Sequence, residues 1–437
     1  MHTLTAKLIL YSNLPEDSIL MRLSGIYADW TRGETDKSVL IHRCYTEIKR
    51  LLDLSTVYGF DHNLWHNYLT FLMIDHENSF SLTCELTGAS DGSINRIAQA
   101  DFEVFRQLFA FDFGPMERDL GIDCFSVVSD YKAIPKKEQM YNRSVSEKVR
   151  ALSLQLAAAP DAETVFRLVC DHYRTWGVGL FGLNRAFRIK PAKDGVDFLP
   201  INNIDRVLLS DLIGYELQKA QVRENILGFI EGRGYNNMLL YGDAGTGKST
   251  TVKAVLNEYA DRGLRIIEIY KHQFDLLSEV IARIKNRHYF FIIFIDDLSF
   301  EDTEVEYKFL KAVIEGGIET RPDNVMICAT SNRRHLIKET WNDRNDMAYQ
   351  GDIHHSDTME EKLSLAARFG CTVGYDAPTP VQYREIVKGI AARYPGIDLS
   401  EEELIAQAHR WELRHGGLSG RTAQQFINHI AGTLAGK

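Results

Sequence analysis

Eight residues constrain this chain more than any others: Gly242-Asp-Ala-Gly-Thr-Gly-Lys-Ser249. They fit the pattern GxxxxGK[ST], which has physical meaning only between a strand and a helix. Both flanks are right. Met238-Leu-Leu-Tyr241 is a short apolar run before the motif, and Ser249-Thr-Thr-Val-Lys-Ala-Val-Leu256 behind it has a helical pattern. Glycines in such a loop let backbone N–H groups curl around phosphates, and the following helix N-terminus adds a partial positive charge. The expected roles are phosphate contact by Lys248 and Mg²⁺ ligation by the Ser249 hydroxyl. Gly242, Asp243, Ala244, Gly245, Thr246, Gly247 and Thr250 complete the cradle.

A second motif sits downstream, Phe291-Ile-Ile-Phe-Ile-Asp-Asp297. A continuously apolar run suits a strand buried on both faces. Acids at its C-terminal tip would face the phosphate loop, where open α/β sheets bind ligands. Asp296 is expected to hold Mg²⁺ through water, and Asp297 to orient or deprotonate the attacking water. The run Val325–Ser331 reads as another strand, with Asn332 at its tip, suited to a hydrogen bond with the γ-phosphate or that water. Arg333, Arg334 and His335 follow, either as contacts to phosphate or a neighbouring subunit, or as a solvated turn.

These strands belong to an alternation of apolar runs and helical patterns over 205–377, the sign of a parallel sheet covered by helices. Five strands are expected: Asn237–Tyr241, Leu264–Tyr270, Phe290–Asp296, Val325–Ser331 and Cys371–Tyr375. Residues 378–437 read as all helix, over roughly 380–394, 400–415 and 419–435, with Ser400-x-x-Glu403 as a capping box. Residues 191–204, with Pro191, Gly195 and Pro200, read as a linker. Before it, residues 1–190 read as a domain of unassigned role, mixed at first and then helical. There Ser144-x-x-Glu147 is a capping box opening one helix, and Asp161 caps the next. The aromatics Trp65, Tyr68, Phe71, Phe102, Phe105, Phe109, Phe111 and Phe113 read as core, because the charges around them are acidic.

The chain has 437 residues, 45% hydrophobic and 25% charged, with a formal net charge of -10. That is ordinary for a soluble globular protein and unlike a dedicated DNA binder. Residues 51–130 hold thirteen acidic and three basic side chains, and residues 131–190 hold eleven basic and five acidic. Two solvated faces of one domain, or a basic surface for an acidic partner, both fit. Six cysteines without a CxxC pair exclude a zinc site or a disulfide framework on spacing grounds. With no signal peptide and no apolar run long enough to span a bilayer, the expectation is a cytoplasmic protein with no membrane.

Over about residues 205–437 the chain resembles the AAA+ ATPases. The resemblance rests on the order of parts: Asp211-Leu-Ile-Gly-Tyr-Glu216 at the entry, then the two motifs, Asn332, Arg368 and Arg421. Leu212-Ile-Gly-Tyr-Glu, Phe294-Ile-Asp-Asp-Leu-Ser-Phe300, Ala329-Thr-Ser-Asn-Arg-Arg-His-Leu336 and Leu418-Ser-Gly-Arg-Thr-Ala resemble more closely a bacterial family of predicted AAA+ ATPases with no assigned cellular role. The Asp296-Asp297 pair and Arg368-Phe-Gly look like the initiator and helicase-loader branch. The resemblance implies an α/β fold with a parallel five-stranded sheet and a C-terminal helical lid. It implies ATP and Mg²⁺ as cofactors, with Gly214 and Tyr215 at the nucleotide. Asn332 becomes sensor 1, Arg421 sensor 2, and Arg368 an arginine finger reaching the next subunit's nucleotide in a homo-oligomeric ring or partial ring. Most members carry Glu where this chain has Asp297, which implies slow but real turnover.

Three kinds of work fit such an ATPase. One is remodelling or loading of an unknown protein or nucleic-acid client. Another is a nucleic-acid-bound initiator or loader, against which stand the acidic balance and the lack of a helix-turn-helix signature. A threading unfoldase ranks lowest, because Tyr270-Lys-His-Gln-Phe-Asp-Leu-Leu277 lacks the glycine of a pore loop. A GTPase is excluded by the absence of an Asn-Lys-x-Asp motif.

Overall fold

The computed structural model describes residues 1–134, 141–193, 195–300, 306–315, 322–332 and 365–435. They form two compact units, Met1–Arg185 with Pro200–Asn203, and Ala186–Leu199 with Ile204–Lys437.

Among the described residues every regular element of the first unit is a helix, so its early half is not mixed as the sequence suggested. Its larger helices are Ile19–Arg32, Lys37–Tyr58, Leu64–Asp75, Ser93–Phe109, Arg143–Ala157 and Ala162–Trp176. The aromatic cluster is core, as expected: Trp65, Tyr68, Phe102, Phe105, Phe109 and Phe113 are buried, and Phe113 stacks on Phe125 with ring centroids 4.3 Å apart. Buried Asp101 accepts the backbone N–H groups of Ile9, Leu10 and Tyr11, which ties the N-terminal segment to helix Ser93–Phe109. Asp161 caps its helix through the Thr164 N–H at 2.8 Å. The Ser144 box, however, does not form. Asn142 is the cap instead, accepting from Val145 N–H at 3.3 Å, so Ser144 falls inside the first turn. Asn142 wins because its amide is also anchored, donating to Asn184 Oδ1 at 2.7 Å and Asn202 Oδ1 at 3.1 Å. Glu147 is drawn off to pair with Arg143.

The second unit is built on a seven-stranded sheet. Its strands are β1 Ala186–Ala192, β2 Gly195–Pro200, β3 Met238–Gly242, β4 Leu264–Glu268, β5 Phe290–Ile295, β6 Val325–Ser331 and β7 Cys371–Tyr375, in the order β2-β1-β4-β5-β6-β3-β7. From β1 to β7 all described pairings are parallel. The five expected strands are present, but the expected five-stranded sheet is extended by two more. Those two come from the stretch read as a linker. Phe187, Ile189, Val196 and Phe198 are buried while Arg188 and Lys190 face out, which is the period of half-buried strands rather than of a tether. Arg188 pairs across to Glu268 at 2.7 Å. Pro200 ends the edge strand β2, and Pro191 lies beyond the β1–β4 register of Ala186–Arg188, so neither needs an N–H for the described ladder.

β5 and β6 are buried along almost their whole length, which is why their sequences are continuously apolar. Helices Glu216–Ile230, Lys248–Tyr259, Leu277–Ile284 and Tyr307–Glu315 belong to the same unit. The last three helices, Pro380–Ala391, Glu401–His415 and Gly420–Ala435, fall within the expected spans. They share a small core of Tyr383, Ile386, Val387, Ile390, Leu404, Phe426 and Ile427. Ser400 and Glu403 form the expected capping box. Ile213, from the entry segment, packs against this core. Among the described residues no helix is long and apolar enough to cross a membrane.

Candidate functional site

The loop after β3 gets its shape from two short-range demands. β3 ends at Gly242, whose φ is 128°, and a methyl group there would lie 2.1 Å from the Tyr375 carbonyl oxygen on β7. At the other end Gly247, with φ 98°, turns the chain into helix Lys248–Tyr259. Between them Thr246 Oγ1 donates to Asp243 O at 2.8 Å. The Asp243 carboxylate accepts the Ala377 N–H at 2.7 Å and is not part of the cavity lining, so it braces the loop.

The result is a cavity of about 950 Å³, near the top of the roughly 300–1,000 Å³ range of small-molecule sites. Its floor is the loop itself, from Ala244 through Gly245, Thr246, Gly247, Lys248, Ser249 and Thr250. The tips of β5 and β6 add Asp296, Asp297, Thr330 and Asn332. Tyr215 lines it from the entry segment, and Arg421 and Gln424 from the last helix.

Lys248 is 6% exposed. Its ammonium donates to Gly242 O at 2.8 Å, Asp243 O at 2.7 Å and Asn332 Oδ1 at 3.1 Å. Burial pushes it below the ordinary lysine range, partly offset by the carboxylates of Asp243, Asp297 and Asp296. Asn332 continues the chain, its Nδ2 donating to Asp297 Oδ1 at 2.8 Å. Ser249 Oγ donates to Asp296 Oδ1 at 2.6 Å. One hydrogen-bonded set thus joins Lys248, Asn332 and Asp297, and a second joins Ser249 to Asp296. The sheet makes this possible. Parallel register puts Tyr241 beside Ser331 and Ile295 beside Ala329, so the three strand tips end together.

A hydroxyl and a carboxylate placed side by side, with room for water and phosphate oxygens, fit Mg²⁺, which takes few protein ligands and keeps several waters. Among the described residues no group of three or more His, Cys, Asp or Glu side chains is placed to hold a metal.

The other expected residues fall differently. Tyr215 has φ 59° and donates its hydroxyl to Asp376 O at 2.9 Å, with Gly214 beside it at φ 79°. Burial raises its phenol to about 12. The Arg421 N–H donates to Gly245 O at 3.2 Å, so the start of the last helix touches the loop. Arg368 is half-buried and is not part of the cavity lining. It lies three residues before Cys371, which pairs with Met238 at the start of β3, whereas the loop follows the end of β3. At about 3.3 Å per residue, the length of β3 separates it from the loop of 243–247. Arg333, Arg334 and His335 lie outside the described residues.

The sequence did not single out Thr330, which bonds both aspartates, or the Thr251–Tyr375 hydroxyl pair at 3.0 Å that ties helix Lys248–Tyr259 to β7. Their positions depend on strand register, which no local pattern carries. In the basic stretch, Arg150 pairs with Asp61 at 3.8 Å and Lys190 with Asp197 at 3.4 Å, so part of its charge is locally matched.

No curated protein matches the chain. Solved structures similar to part of it include the Holliday junction branch migration motor RuvB of Thermotoga maritima, at 18% identity and a TM-score of 0.36 over 52% of this chain and 65% of that one. A point mutant of the same motor matches at 17% identity and a TM-score of 0.37, with the same coverage. The chain thus spans just under two thirds of the length of these structures. Residues 183–434 match the model of a family described as protein of unknown function (DUF815), and the chain belongs to that family.

Proposed function

We propose that this chain binds ATP with Mg²⁺ in the cavity beside Lys248 and hydrolyses it at an interface between copies of itself. The turnover would drive remodelling or loading of a macromolecular partner. The observation that carries the reading is the joining of Lys248, Asn332 and Asp297 in one hydrogen-bonded set, next to Ser249 on Asp296. Phosphate, metal and water-activating groups are then within reach of one triphosphate.

In this reading the loop N–H groups and Lys248 bind the phosphates, and Lys248 exchanges its contacts with Gly242 and Asp243 for phosphate oxygens. Ser249 and Asp296 hold Mg²⁺, which would neutralise charge on the phosphates. Asp297 orients the attacking water and takes its proton, with Asn332 fixing the carboxylate. Gly214, Tyr215 and the helices of 378–437 close over the nucleotide, with Arg421 on its own subunit's phosphates. Residues 1–190 are left for the partner. Arg368, a strand's length away from its own loop, would reach the loop of the next copy. A guanidinium supplied this way is worth roughly 10³–10⁵ in rate. A cytoplasmic homo-oligomer follows from the same reading.

Mixing tests it. Arg368→Ala should bind ATP normally and hydrolyse it poorly, and Lys248→Ala should do neither. Mixed together, they should regain activity, because each supplies what the other lacks at a shared interface. Turnover that is independent of protein concentration, with full activity in Arg368→Ala, would refute the interface.

A further inference from the structure

The register of β5 and β6 places a residue between the two aspartates that no motif marks. Ile295 lies beside Ala329, so the next step along both strands puts Asp296 beside Thr330. Thr330 is 2% exposed, and its hydroxyl donates to Asp296 Oδ1 at 2.5 Å and accepts the Asp297 N–H at 2.9 Å. Those directions are forced. The hydroxyl has one proton, a backbone N–H can only donate, and an ionised carboxylate can only accept. The Thr330 carbonyl also accepts the Leu298 N–H at 2.7 Å. Three successive residues, Asp296 to Leu298, are therefore anchored on one threonine. The middle one, Asp297, has φ 53°, in the left-handed region that residues other than glycine rarely enter. Such a backbone persists only where its surroundings over-determine it. Thr330 provides that from the backbone side and Asn332 from the side-chain side.

We propose that Thr330 is a positioning residue for hydrolysis, holding the Asp296 carboxylate in place and aiming Asp297 through its backbone. The proposal rests on the ATPase reading above. Ser249 donates to the same Asp296 oxygen, so Thr330 is the hydroxyl that stays on it when Ser249 turns toward a cation. Threonine suits the job because β-branching restricts its χ1 and holds the hydroxyl in one direction.

The test compares Thr330→Val, Thr330→Ser and Thr330→Ala with the parent in the full chain. Three things are measured: ATP turnover, melting temperature, and the Mg²⁺ midpoint for binding a fluorescent ATP analogue. Valine keeps the branched shape and removes both side-chain bonds; serine keeps the hydroxyl. Thr330→Val should lower kcat by about 10- to 100-fold, the scale of a small misplacement of a reacting group, with KM for ATP little changed. Its Mg²⁺ midpoint should rise. Thr330→Ser should recover most of both, and Thr330→Ala should repeat the valine defect. A Thr330→Val protein with parental kcat and Mg²⁺ midpoint overturns the proposal. So does a Thr330→Ser protein as impaired as Thr330→Val, which would mark packing as the role. A parent that binds the nucleotide but never hydrolyses it defeats the ATPase reading instead, and the Mg²⁺ midpoint then decides the role of Thr330.

Discussion

Lys248 and Lys253 stand on the same helix and line the same cavity, and they should behave very differently when removed. Lys248 is buried against three oxygens at 2.7–3.1 Å. Lys253 pairs with Asp205 at 2.7 Å, but its side chain is 47% exposed. In the proposed reading the Lys248 ammonium would exchange these neutral acceptors for charged phosphate oxygens when ATP binds. Hydrogen bonds to charged groups contribute about 1.5–3 kcal/mol each, so two phosphate contacts amount to about 3–6 kcal/mol. At 1.4 kcal/mol per decade that is roughly 10²–10⁴-fold in Kd. The resting protein should lose less. Lys248→Ala frees three acceptors, but they border an open cavity where water can replace the ammonium, which limits the change to about 1–2 kcal/mol. Lys253→Ala removes an exposed ion pair, worth under about 1 kcal/mol, and should shift affinity by less than about fivefold. Titration with a fluorescent ATP analogue, beside denaturant melts, reads both quantities. If Lys248→Ala keeps parental affinity, or if the two lysines cost affinity equally, the assignment of Lys248 to the phosphates is wrong.

The two aspartates should also separate. Asp297→Asn keeps an oxygen to accept from Asn332, so ATP and Mg²⁺ binding should survive while turnover falls by about 10²–10⁴-fold, the usual contribution of a general base; parental turnover would refute the role. Asp296→Asn should instead raise the Mg²⁺ needed for half-maximal nucleotide binding, seen in a cation titration. Gly242→Ala puts a methyl 2.1 Å from Tyr375 O at positive φ, so backbone strain and overpacking together should cost about 2–6 kcal/mol. A denaturant melt with an unchanged midpoint would show that β7 yields easily.

What the sequence revealed follows from where each element sits. β3, β5 and β6 are interior strands of the sheet, so they read as continuous apolar runs, and the loop after β3 follows from a sequence pattern with little freedom. β2 is the sheet's edge strand and β1 its neighbour, both short and carrying a proline and exposed polar residues among few apolar ones, so the same residues pass for a linker. Ser144 offered a capping box in local sequence, but Asn142 had tertiary partners in Asn184 and Asn202, which the sequence cannot display. Asp296, Asp297 and Asn332 were legible as strand tips. Arg368 and Arg421 had only a family pattern to recommend them, since a lone arginine near a helix end has no local signature. Thr330 was not legible at all, because its role comes from pairing across two strands far apart in the chain.

The shorter acid at position 297 takes on a different meaning beside this geometry. An aspartate in place of the more common glutamate has one fewer methylene with which to reach a water, so on side-chain length alone its carboxylate falls short. Here the backbone makes part of the difference. At φ 53° the chain turns sharply just beyond β5, directing the Asp297 side chain to Asn332 at 2.8 Å, and Asn332 also meets Lys248. The carboxylate therefore stands next to the group that would hold the phosphate, by virtue of a turn rather than a longer side chain. Asp, with Asn, tolerates the left-handed region better than Glu does. A glutamate at 297 would gain reach and lose ease in this backbone, so the acid and the turn are matched choices. Exchanging one without the other should not improve the site.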